Sequence, residues 1–253
     1  MEGGSVVKPF SAGQVGAQEP FDDGYADAPA TRATNATANA TSFDARLRAS
    51  KRAAGFYPRA GKRIFDVIFS LTFMLLIGSW LFPLIALAIR LDSSGPVLFR
   101  QSRVGLDGKI FKCLKFRTMV HEPDAGFVQA QKNDSRITRV GAILRKTNLD
   151  EIPQFLNVLH GEMSVIGPRP HVPELDHMFQ DLVPQYNFRN MVKPGVSGLA
   201  QISGCRGETR SIREMSHRVR FDVFYCRNIS LLMDLKLIVL TVVSALRGDE
   251  RAY

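Results

Sequence analysis

The clearest pattern along the chain is one long apolar block, which covers residues 67–89 without a charged side chain. A helix of this length reaches roughly 34 Å, enough to cross the hydrocarbon core of a bilayer. A buried helix of a soluble protein is the alternative, but such helices are seldom so long and so uniformly apolar. The pattern therefore predicts a membrane helix over residues 61–91, kinked at Pro83, whose ring removes a helical hydrogen bond.

The orientation of this helix in the membrane is left open between two arrangements. Basic residues flank both of its ends, namely Lys62, Arg63, Arg90, Arg100 and Arg103. The positive-inside tendency draws both ends towards the cytoplasm, and Asp66 is tolerated at an interface but costly within lipid. With the proline kink, these features favour a re-entrant helix that enters and leaves by the same face, whereas a straight span is the alternative. Either arrangement makes membrane lipid a partner of the chain.

Beyond the apolar block, a β-hairpin is predicted, because two β-rich runs flank the turn dipeptide Asp107-Gly108. In the second run Lys115 and Arg117 fall at period two and share one face of the strand. Two cations on one face suit an anion clamp, although an ordinary solvated strand face has the same pattern.

The remaining pattern is mainly helical, with helical spacing over residues 136–146 and 150–160. Two further helices are predicted near the C-terminus. The apolar stretch of the second, residues 237–246, is too short to span a bilayer, so we expect it in the interface or against the core. The predicted fold is α+β and membrane-associated. It has one re-entrant or spanning N-terminal helix, a small cytosolic domain with a β-hairpin and several short helices, and C-terminal interfacial amphipathic helices.

Charge and composition divide the chain near residue 60. Residues 1–60 carry seven basic and six acidic side chains, lack apolar periodicity and predict a disordered tail. Residues 61–253 carry 26 basic and 18 acidic side chains, so the basic excess belongs to the membrane helix and a cytosolic domain over residues 92–250. This excess indicates anionic partners, which are phosphorylated ligands, nucleic acid or an anionic membrane surface. The three cysteines are widely spaced, as is typical of free thiols in a reducing compartment.

Two adjacent carboxylates, Asp150 and Glu151, stand at the start of a predicted helix and are followed by Pro153. Acidic residues in a first helical turn stabilise the helix dipole, so capping alone explains many such pairs. Adjacent helical residues also point about 100° apart. The two carboxylates therefore cannot form a matched acid–base couple, and any chemistry they share requires different roles.

Basic residues around this pair favour a functional interpretation. Candidates for phosphate binding are Lys115, Arg117, Arg145 and Lys146. Arg169 is framed by Pro168 and Pro170, which restrict the backbone on both sides and so aim the guanidinium. A surface loop rarely needs such stiffness.

These motifs occur in one order along the chain. The strand "KCLKFRTM", the segment "RITRVGAILRKTNLDEIPQFLNVLHGEMSVIGPRP" and the loop "VKPGVSGLAQISG" follow a single apolar helix. In this order and spacing, residues 60–250 resemble the bacterial sugar transferases, which are monotopic polyprenyl-phosphate phosphoglycosyl transferases. The residues before 60 carry no part of the resemblance.

The resemblance implies an enzyme at the cytoplasmic face of a bacterial inner membrane. It would transfer a sugar 1-phosphate from a UDP-sugar to undecaprenyl phosphate and release UMP, as the first membrane step of exopolysaccharide or glycan assembly. Asp150 would be the nucleophile that forms an aspartyl-phosphosugar intermediate, Glu151 would support it, and both would bind Mg²⁺. The expected substrate-binding residues are Lys115, Arg117, Arg145, Arg169, Pro168 and Pro170. The sequence "RGET" resembles the branch that transfers hexose 1-phosphates.

One departure from the family pattern lies at the kink, where the usual Ser-Pro is replaced by Phe82-Pro83. Ser79, one turn earlier, is a candidate to satisfy a freed carbonyl in place of the missing serine. His171 and His177 are six residues apart and off one helix face, so we expect surface roles for them.

A second hypothesis is a membrane-anchored adaptor that binds anionic lipid or nucleic acid without catalysis, with the acidic pair as a helix cap. The Arg-rich residues 205–220 lack interleaved aromatic side chains, so lipid is the expected partner there and nucleic acid is not. The sugar, the role of the tail and homo-oligomerisation are left open by the sequence.

Overall fold

The structure is a computed structural model of the chain, and it describes residues 56–120, 134–205, 207, 209 and 211–247. Within this part helices and strands are mixed, as predicted, and the strands form two small sheets of two strands each. The predicted tail lies outside the described residues up to residue 55. Its last residues, 56–60, are helical and lead through a π-helical turn, Tyr57–Gly61, into the apolar block.

The apolar block forms one helical segment, Lys62–Asp92, called the apolar helix below. It consists of α1 (Lys62–Phe73), a π-helical turn (Met74–Gly78) and α2 (Ser79–Asp92). At 31 residues it is long and apolar enough to cross a membrane, and 17% of its most apolar window is buried. This low burial distinguishes it from the core helix of a soluble protein.

The irregular part of the apolar helix is the π-helical turn, whereas Pro83 lies within α2. The turn ends directly before Ser79, whose carbonyl opposes the proline ring. Ser79 Oγ donates a hydrogen bond of 2.8 Å to the carbonyl of Leu75, and the Trp80 indole donates one of 3.0 Å to that of Leu76. Ser79 therefore bonds a carbonyl of the widened turn, whereas the carbonyl that Pro83 leaves without a helical donor is that of Ser79 itself.

One face of the apolar helix packs on the rest of the protein along its whole length. Phe73 stacks on Phe155 with ring centroids 4.3 Å apart, and Phe82 meets Phe116 at 4.7 Å. Near the C-terminal end, Ile89 is buried in a cluster with Phe116, Leu144 and Ile152. The opposite face is exposed and apolar, with Ile64, Ile68, Leu71, Leu75, Leu76, Leu84, Leu87 and Leu91.

The start of the apolar helix is held by a buried polar network that we call the anchor cluster, made of Tyr57, Lys62, Asp66, Tyr225 and Asp234. Asp234 accepts hydrogen bonds from Tyr57 (2.5 Å), Lys62 (2.7 Å) and Tyr225 (2.8 Å). Asp66 accepts from the Ser164 hydroxyl (2.9 Å) and the Val165 amide (3.0 Å). The sequence predicted Asp66 at the lipid interface, but the protein buries it, because these donors replace water.

The predicted β-hairpin is confirmed. Strands β1 (Leu98–Val104) and β2 (Ile110–Phe116) pair antiparallel, and a 3₁₀ turn, Leu106–Gly108, joins them. Asp107 and Gly108 both have positive φ angles, 53° and 76°, as an Asp-Gly turn requires. The hairpin brings Lys115, near the end of β2, beside the acidic pair.

The acidic pair lies between two helices, whereas the spacing predicted it in the first turn of the second one. Helix α3 (Arg139–Lys146) begins at Thr138, whose side chain accepts a hydrogen bond from the Gly141 amide. Asn148 has a φ of 57°, which ends the helical path, and a 3₁₀ turn, Leu149–Glu151, precedes α4 (Gln154–His160). The predicted helix over residues 150–160 is thus split into this turn and α4.

The C-terminal part of the chain, from β3 onwards, contains one small parallel sheet and several helices. Strands β3 (Ser164–Ile166) and β4 (Gly195–Ser197) pair in parallel. The helices of this part are α5 (Pro173–Phe179), a 3₁₀ helix (Tyr186–Met191), α6 (Leu199–Ile202), α7 (Ile212–Arg227) and α8 (Leu231–Arg247). One face of α8 is buried through Leu237 and Asp234, while Leu232, Val239 and Val242 are exposed. An interfacial position of α8 stays a prediction.

Candidate active site

The acidic pair is buried at the junction of α3, α4 and the hairpin. Asp150 and Glu151 are each 9% exposed and belong to the 3₁₀ turn that precedes α4. The sequence predicted them in the first turn of a helix, and the structure places them just before it. Although they are adjacent, the two carboxylates have unequal surroundings.

Glu151 is neutralised by two cations from other parts of the chain. Lys115 Nζ lies 2.7 Å from Glu151 Oε1, and Arg169 makes a two-pronged contact, 2.7 Å to Oε1 and 3.1 Å to Oε2. Burial alone would raise the pKa of Glu151, but Arg169 and Lys115 hold it well below its usual range. Glu151 is therefore a permanent anion whose oxygens are already occupied by donors.

Asp150 differs from its neighbour. Its carboxylate makes no hydrogen bond or salt bridge with any residue that the structure describes. Burial raises the pKa of Asp150 to about 6; the charges of Lys115 and Arg145 oppose the shift, and that of Glu151 adds to it. Arg145 lies in the last turn of α3, and its Nη1 is buried without a hydrogen-bond partner in the described residues.

Arg117 was expected to bind substrate together with Lys115, Arg145 and Arg169, but the structure places it away from the acidic pair. Strand β2 ends at Phe116, so the alternation that aligned Arg117 with Lys115 stops there. The guanidinium is buried and donates hydrogen bonds of 2.7 Å to the carbonyls of Ser93 and Ser94, directly after the apolar helix. Arg117 thus fixes the end of that helix, and a contact with substrate stays a prediction.

The arginine of the predicted proline frame comes from the loop after β3. Pro168 and Pro170 are buried on either side of Arg169, which is partly exposed. Gly167 and Gly195 allow the backbones of β3 and β4 to meet, because a Cβ at Gly195 would lie 2.1 Å from the Gly167 nitrogen. This close crossing sets where the loop leaves the sheet, and Arg169 reaches Glu151 from there.

Three residues behind this loop were missed by the sequence reading. Arg189 donates a hydrogen bond to the carbonyl of Arg169, and Arg103 donates one of 2.9 Å to that of Pro170. His171, for which a surface role was expected, is 4% exposed and lies against Arg189 and Tyr186, so that expectation was wrong. The two prolines were the available signal that such partners exist. Because proline has no N–H, this loop has to be held through its carbonyl oxygens, which need donors from other segments.

Of the two carboxylates expected to bind Mg²⁺, only that of Asp150 has oxygens without a donor among the described residues. Among the described residues no group of three or more histidine, cysteine, aspartate or glutamate side chains forms a metal cage. Mg²⁺ commonly needs only one or two carboxylates, because phosphates and waters complete its octahedron. The unpartnered carboxylate of Asp150 suits this role, whereas the oxygens of Glu151 already accept from Lys115 and Arg169.

A comparison with known families shows which family the chain belongs to. A sequence model described as "Bacterial sugar transferase" matches residues 57–248, which is more than half of the chain and includes every residue of the site. The chain belongs to the bacterial sugar transferase family. This confirms the resemblance drawn from the motifs around Lys115, Asp150 and Arg169.

Several curated bacterial sugar transferases and related proteins are similar to this chain. A UDP-glucose:undecaprenyl-phosphate glucose-1-phosphate transferase of Klebsiella pneumoniae is 50% identical over 72% of the chain and 39% of the relative. The exopolysaccharide production protein PSS of Rhizobium leguminosarum bv. phaseoli is 46% identical over 73% of the chain and 94% of the relative. A UDP-N-acetylgalactosamine-undecaprenyl-phosphate N-acetylgalactosaminephosphotransferase of Aeromonas hydrophila is 40% identical over 64% of the chain and 38% of the relative. The chain spans about two fifths of the length of the Klebsiella transferase.

Proposed function

We propose that this chain transfers a hexose 1-phosphate from a UDP-sugar to undecaprenyl phosphate and releases UMP. The observation that carries the proposal is the division of labour in the acidic pair. Glu151 is occupied by Lys115 and Arg169, whereas the Asp150 carboxylate is unpartnered among the described residues and lies near three cations. Membership of the family and the names of the relatives support this substrate class.

In the first step an Asp150 oxygen attacks the phosphorus that carries the sugar. A bond forms between them, and the bond from that phosphorus to the oxygen bridging to UMP breaks, so that UMP leaves with the electron pair. The product is an aspartyl-phosphosugar. Lys115, Arg145 and Arg169 surround Asp150 with positive charge, which favours a bound diphosphate and the charge that builds on the leaving group.

In the second step an oxygen of undecaprenyl phosphate attacks the same phosphorus and displaces the Asp150 carboxylate. The sugar is then linked to the lipid through a diphosphate, and the enzyme is restored. A covalent intermediate lets a water-soluble donor and a lipid acceptor react in turn at one carboxylate. Mg²⁺ held by Asp150, with Glu151 beside it, would neutralise charge on the donor diphosphate.

The covalent intermediate is the decisive test. The protein is incubated with a UDP-sugar labelled in the sugar, without acceptor, and intact-protein mass is measured beside UMP release. We expect a sugar-phosphate adduct on the native chain, no adduct on Asp150→Asn, and UMP release that stops on chelation and returns with Mg²⁺. UMP release that persists in Asp150→Asn would exclude Asp150 as the nucleophile. Salt-sensitive lipid binding without turnover would favour the adaptor hypothesis instead.

The apolar helix is proposed to be re-entrant, with both ends at the cytoplasmic face of the inner membrane. Its first turns contact β3 through Asp66, and its last residue, Asp92, accepts a hydrogen bond of 3.0 Å from the Val140 amide of α3. Between them Phe73 and Phe82 pack on the same globular part. A straight span would carry one end across the bilayer, away from these contacts.

Labelling of single cysteines tests this topology. Ala60→Cys and Ser94→Cys place exposed reporters before and after the apolar helix, in a background where the partly exposed Cys205 is replaced by serine. A membrane-impermeant maleimide should modify both reporters in inverted vesicles and neither in intact spheroplasts. Modification of only one of the two in spheroplasts would show a span.

A further inference from the structure

The loop that carries Arg169 is held mainly through carbonyl oxygens. Pro168 and Pro170 have no N–H, so they cannot donate to neighbouring strands. At the two ends of the loop the carbonyls accept from backbone amides. The Gly195 amide donates to Pro168 O, and the Val104 amide donates to His171 O, both at 2.9 Å.

Between these two points the carbonyls accept from arginine side chains. Arg189 Nη2 donates to the Arg169 carbonyl, and Arg103 Nη1 donates to the Pro170 carbonyl at 2.9 Å. Four consecutive carbonyls, from residue 168 to residue 171, are therefore each fixed by a donor. The two central donors come from β1 and from the 3₁₀ helix Tyr186–Met191, 67 and 20 residues away from their acceptors.

Both arginines are themselves held in place. Arg189 is 3% exposed, pairs with Asp222 at 3.3 Å and lies against the His171 ring. Arg103 Nη2 donates a hydrogen bond of 2.6 Å to the Gln101 side chain on the same strand. A planar guanidinium that bonds to a fixed acceptor loses little further freedom when it binds a carbonyl, so it suits this purpose better than a lysine.

We propose that Arg103 and Arg189 are positioning residues of the transferase, which act by fixing the Arg169–Pro170 backbone so that the Arg169 guanidinium meets Glu151. The proposal rests on the proposed function. Neither arginine has a hydrogen bond to Asp150 or Glu151, and their hydrogen bonds to the Arg169–Pro170 segment end on its backbone carbonyls. The charge of Arg103 also acts on Arg169 and Glu151. Lys115 holds Glu151 independently from β2 and does not depend on them.

A double-mutant cycle separates this role from a general loss of structure. The kcat/KM for UMP release is measured for Arg103→Gln, Arg169→Gln and the double variant, each as the full chain. Because small misplacements of a site residue are costly, Arg103→Gln should lower kcat/KM about tenfold in the native background. It should lower it less than about twofold in the Arg169→Gln background, because the group it positions is already absent. The same fold-loss in both backgrounds would overturn the proposal.

A second readout does not need turnover. Hydrogen exchange of a peptide covering residues 164–172 should become faster in Arg103→Gln, because the loop loses a carbonyl contact. The matched control is Arg100→Gln, an exposed arginine three residues earlier on β1, for which neither exchange nor kcat/KM should change. Unchanged exchange in Arg103→Gln would refute the positioning role. If the native chain released no UMP, the proposed function would fail while the exchange comparison still decided how the loop is held.

Discussion

Two buried carboxylate pairs in this protein have opposite designs. In the anchor cluster, Asp66 and Asp234 are 2% and 0% exposed, and both accept several hydrogen bonds from distant parts of the chain. In the active site, Glu151 is equally well satisfied, but Asp150 has no hydrogen-bonding partner among the described residues. Each pair has one lysine at 2.7 Å, Lys62 in the first and Lys115 in the second.

The difference shows how burial serves two purposes. A buried carboxylate whose oxygens all have donors holds elements together, because losing any partner leaves an unsatisfied group. A buried carboxylate without donors costs folding free energy, but its lone pairs are free to attack a phosphorus or bind a cation. The satisfied carboxylates of the anchor cluster therefore fit a structural role, and the unpartnered carboxylate of Asp150 fits the proposed role in catalysis.

The sharpest test of this contrast is Asp150→Asn. Loss of the nucleophile should lower the rate of UMP release about a thousandfold or more. Stability should behave in the opposite way. The folded-state pKa of Asp150 is raised to about 6, so the ionised carboxylate destabilises the fold at neutral pH, and the neutral amide removes that cost. We expect an unchanged or higher unfolding temperature at pH 7.5 in detergent. A clear drop in that temperature would mean that Asp150 is a structural acid after all.

Asp234→Ala should have the opposite effects, with a large loss of stability and little loss of activity. It removes an acceptor shared by Tyr57, Lys62 and Tyr225. The Lys62 ammonium, whose side chain is 14% exposed, then keeps only its 4.0 Å contact with Asp66. Such losses destabilise by about 3 kcal/mol, measured as the free energy of unfolding in urea. UMP release per folded molecule should stay within about twofold of the native rate, because the anchor cluster holds no residue of the site.

The matched control for that variant is Asp181→Ala, an exposed aspartate whose removal should leave stability within about 0.5 kcal/mol. If Asp234→Ala lowered turnover per folded molecule as strongly as Asp150→Asn, the assignment of a structural role to one pair and a catalytic role to the other would be wrong. The start of the apolar helix would then have to be part of the site.

Local patterns predicted the elements of the fold well. The hairpin follows from Asp107-Gly108 and the break between α3 and α4 from Asn148, because both depend on backbone conformations that few residues adopt. The anchor cluster was not predictable in this way. Its hydrogen bonds join Tyr57 and Lys62 to Asp234 across 177 and 172 residues, and no local spacing records such a contact. Asp66 was accordingly interpreted as an interfacial acid.

The candidate site was predictable where the motif is compact. The adjacent positions of Asp150 and Glu151 excluded a matched couple, and the structure gives the two carboxylates unequal surroundings. The proline frame indicated that Arg169 is held in one direction. The two arginines that hold the Arg169 loop, Arg103 and Arg189, could not be predicted, because they come from segments with no unusual pattern. Period-two counting also failed at Arg117, because it assumed a strand that the structure ends one residue earlier.

Lys115→Gln tests the active-site pair with a smaller expected loss of activity than Asp150→Asn. The amide keeps one donor towards Glu151 but loses the positive charge beside Asp150. We expect UMP release to fall about a hundredfold, as for other losses of one electrostatic contact, with the larger share in kcat. Lys112→Gln is the matched control, because Lys112 is an exposed neighbour on the same strand whose ammonium donates to the Ser102 hydroxyl and to neither carboxylate of the pair. Equal losses in both variants would point to a general effect of strand charge.

The smallest effect should come from Arg117→Gln, the residue that sequence spacing grouped with Lys115. Its guanidinium holds the carbonyls of Ser93 and Ser94 after the apolar helix, so its loss should cost about 1–2 kcal/mol of unfolding free energy. The KM for the UDP-sugar should change less than about threefold, since the structure gives Arg117 no contact with Asp150 or Glu151. A KM that rose tenfold or more at unchanged stability would show that Arg117 does bind the substrate, as the anion clamp predicted. Arg117 would then have to move towards the acidic pair when the substrate binds.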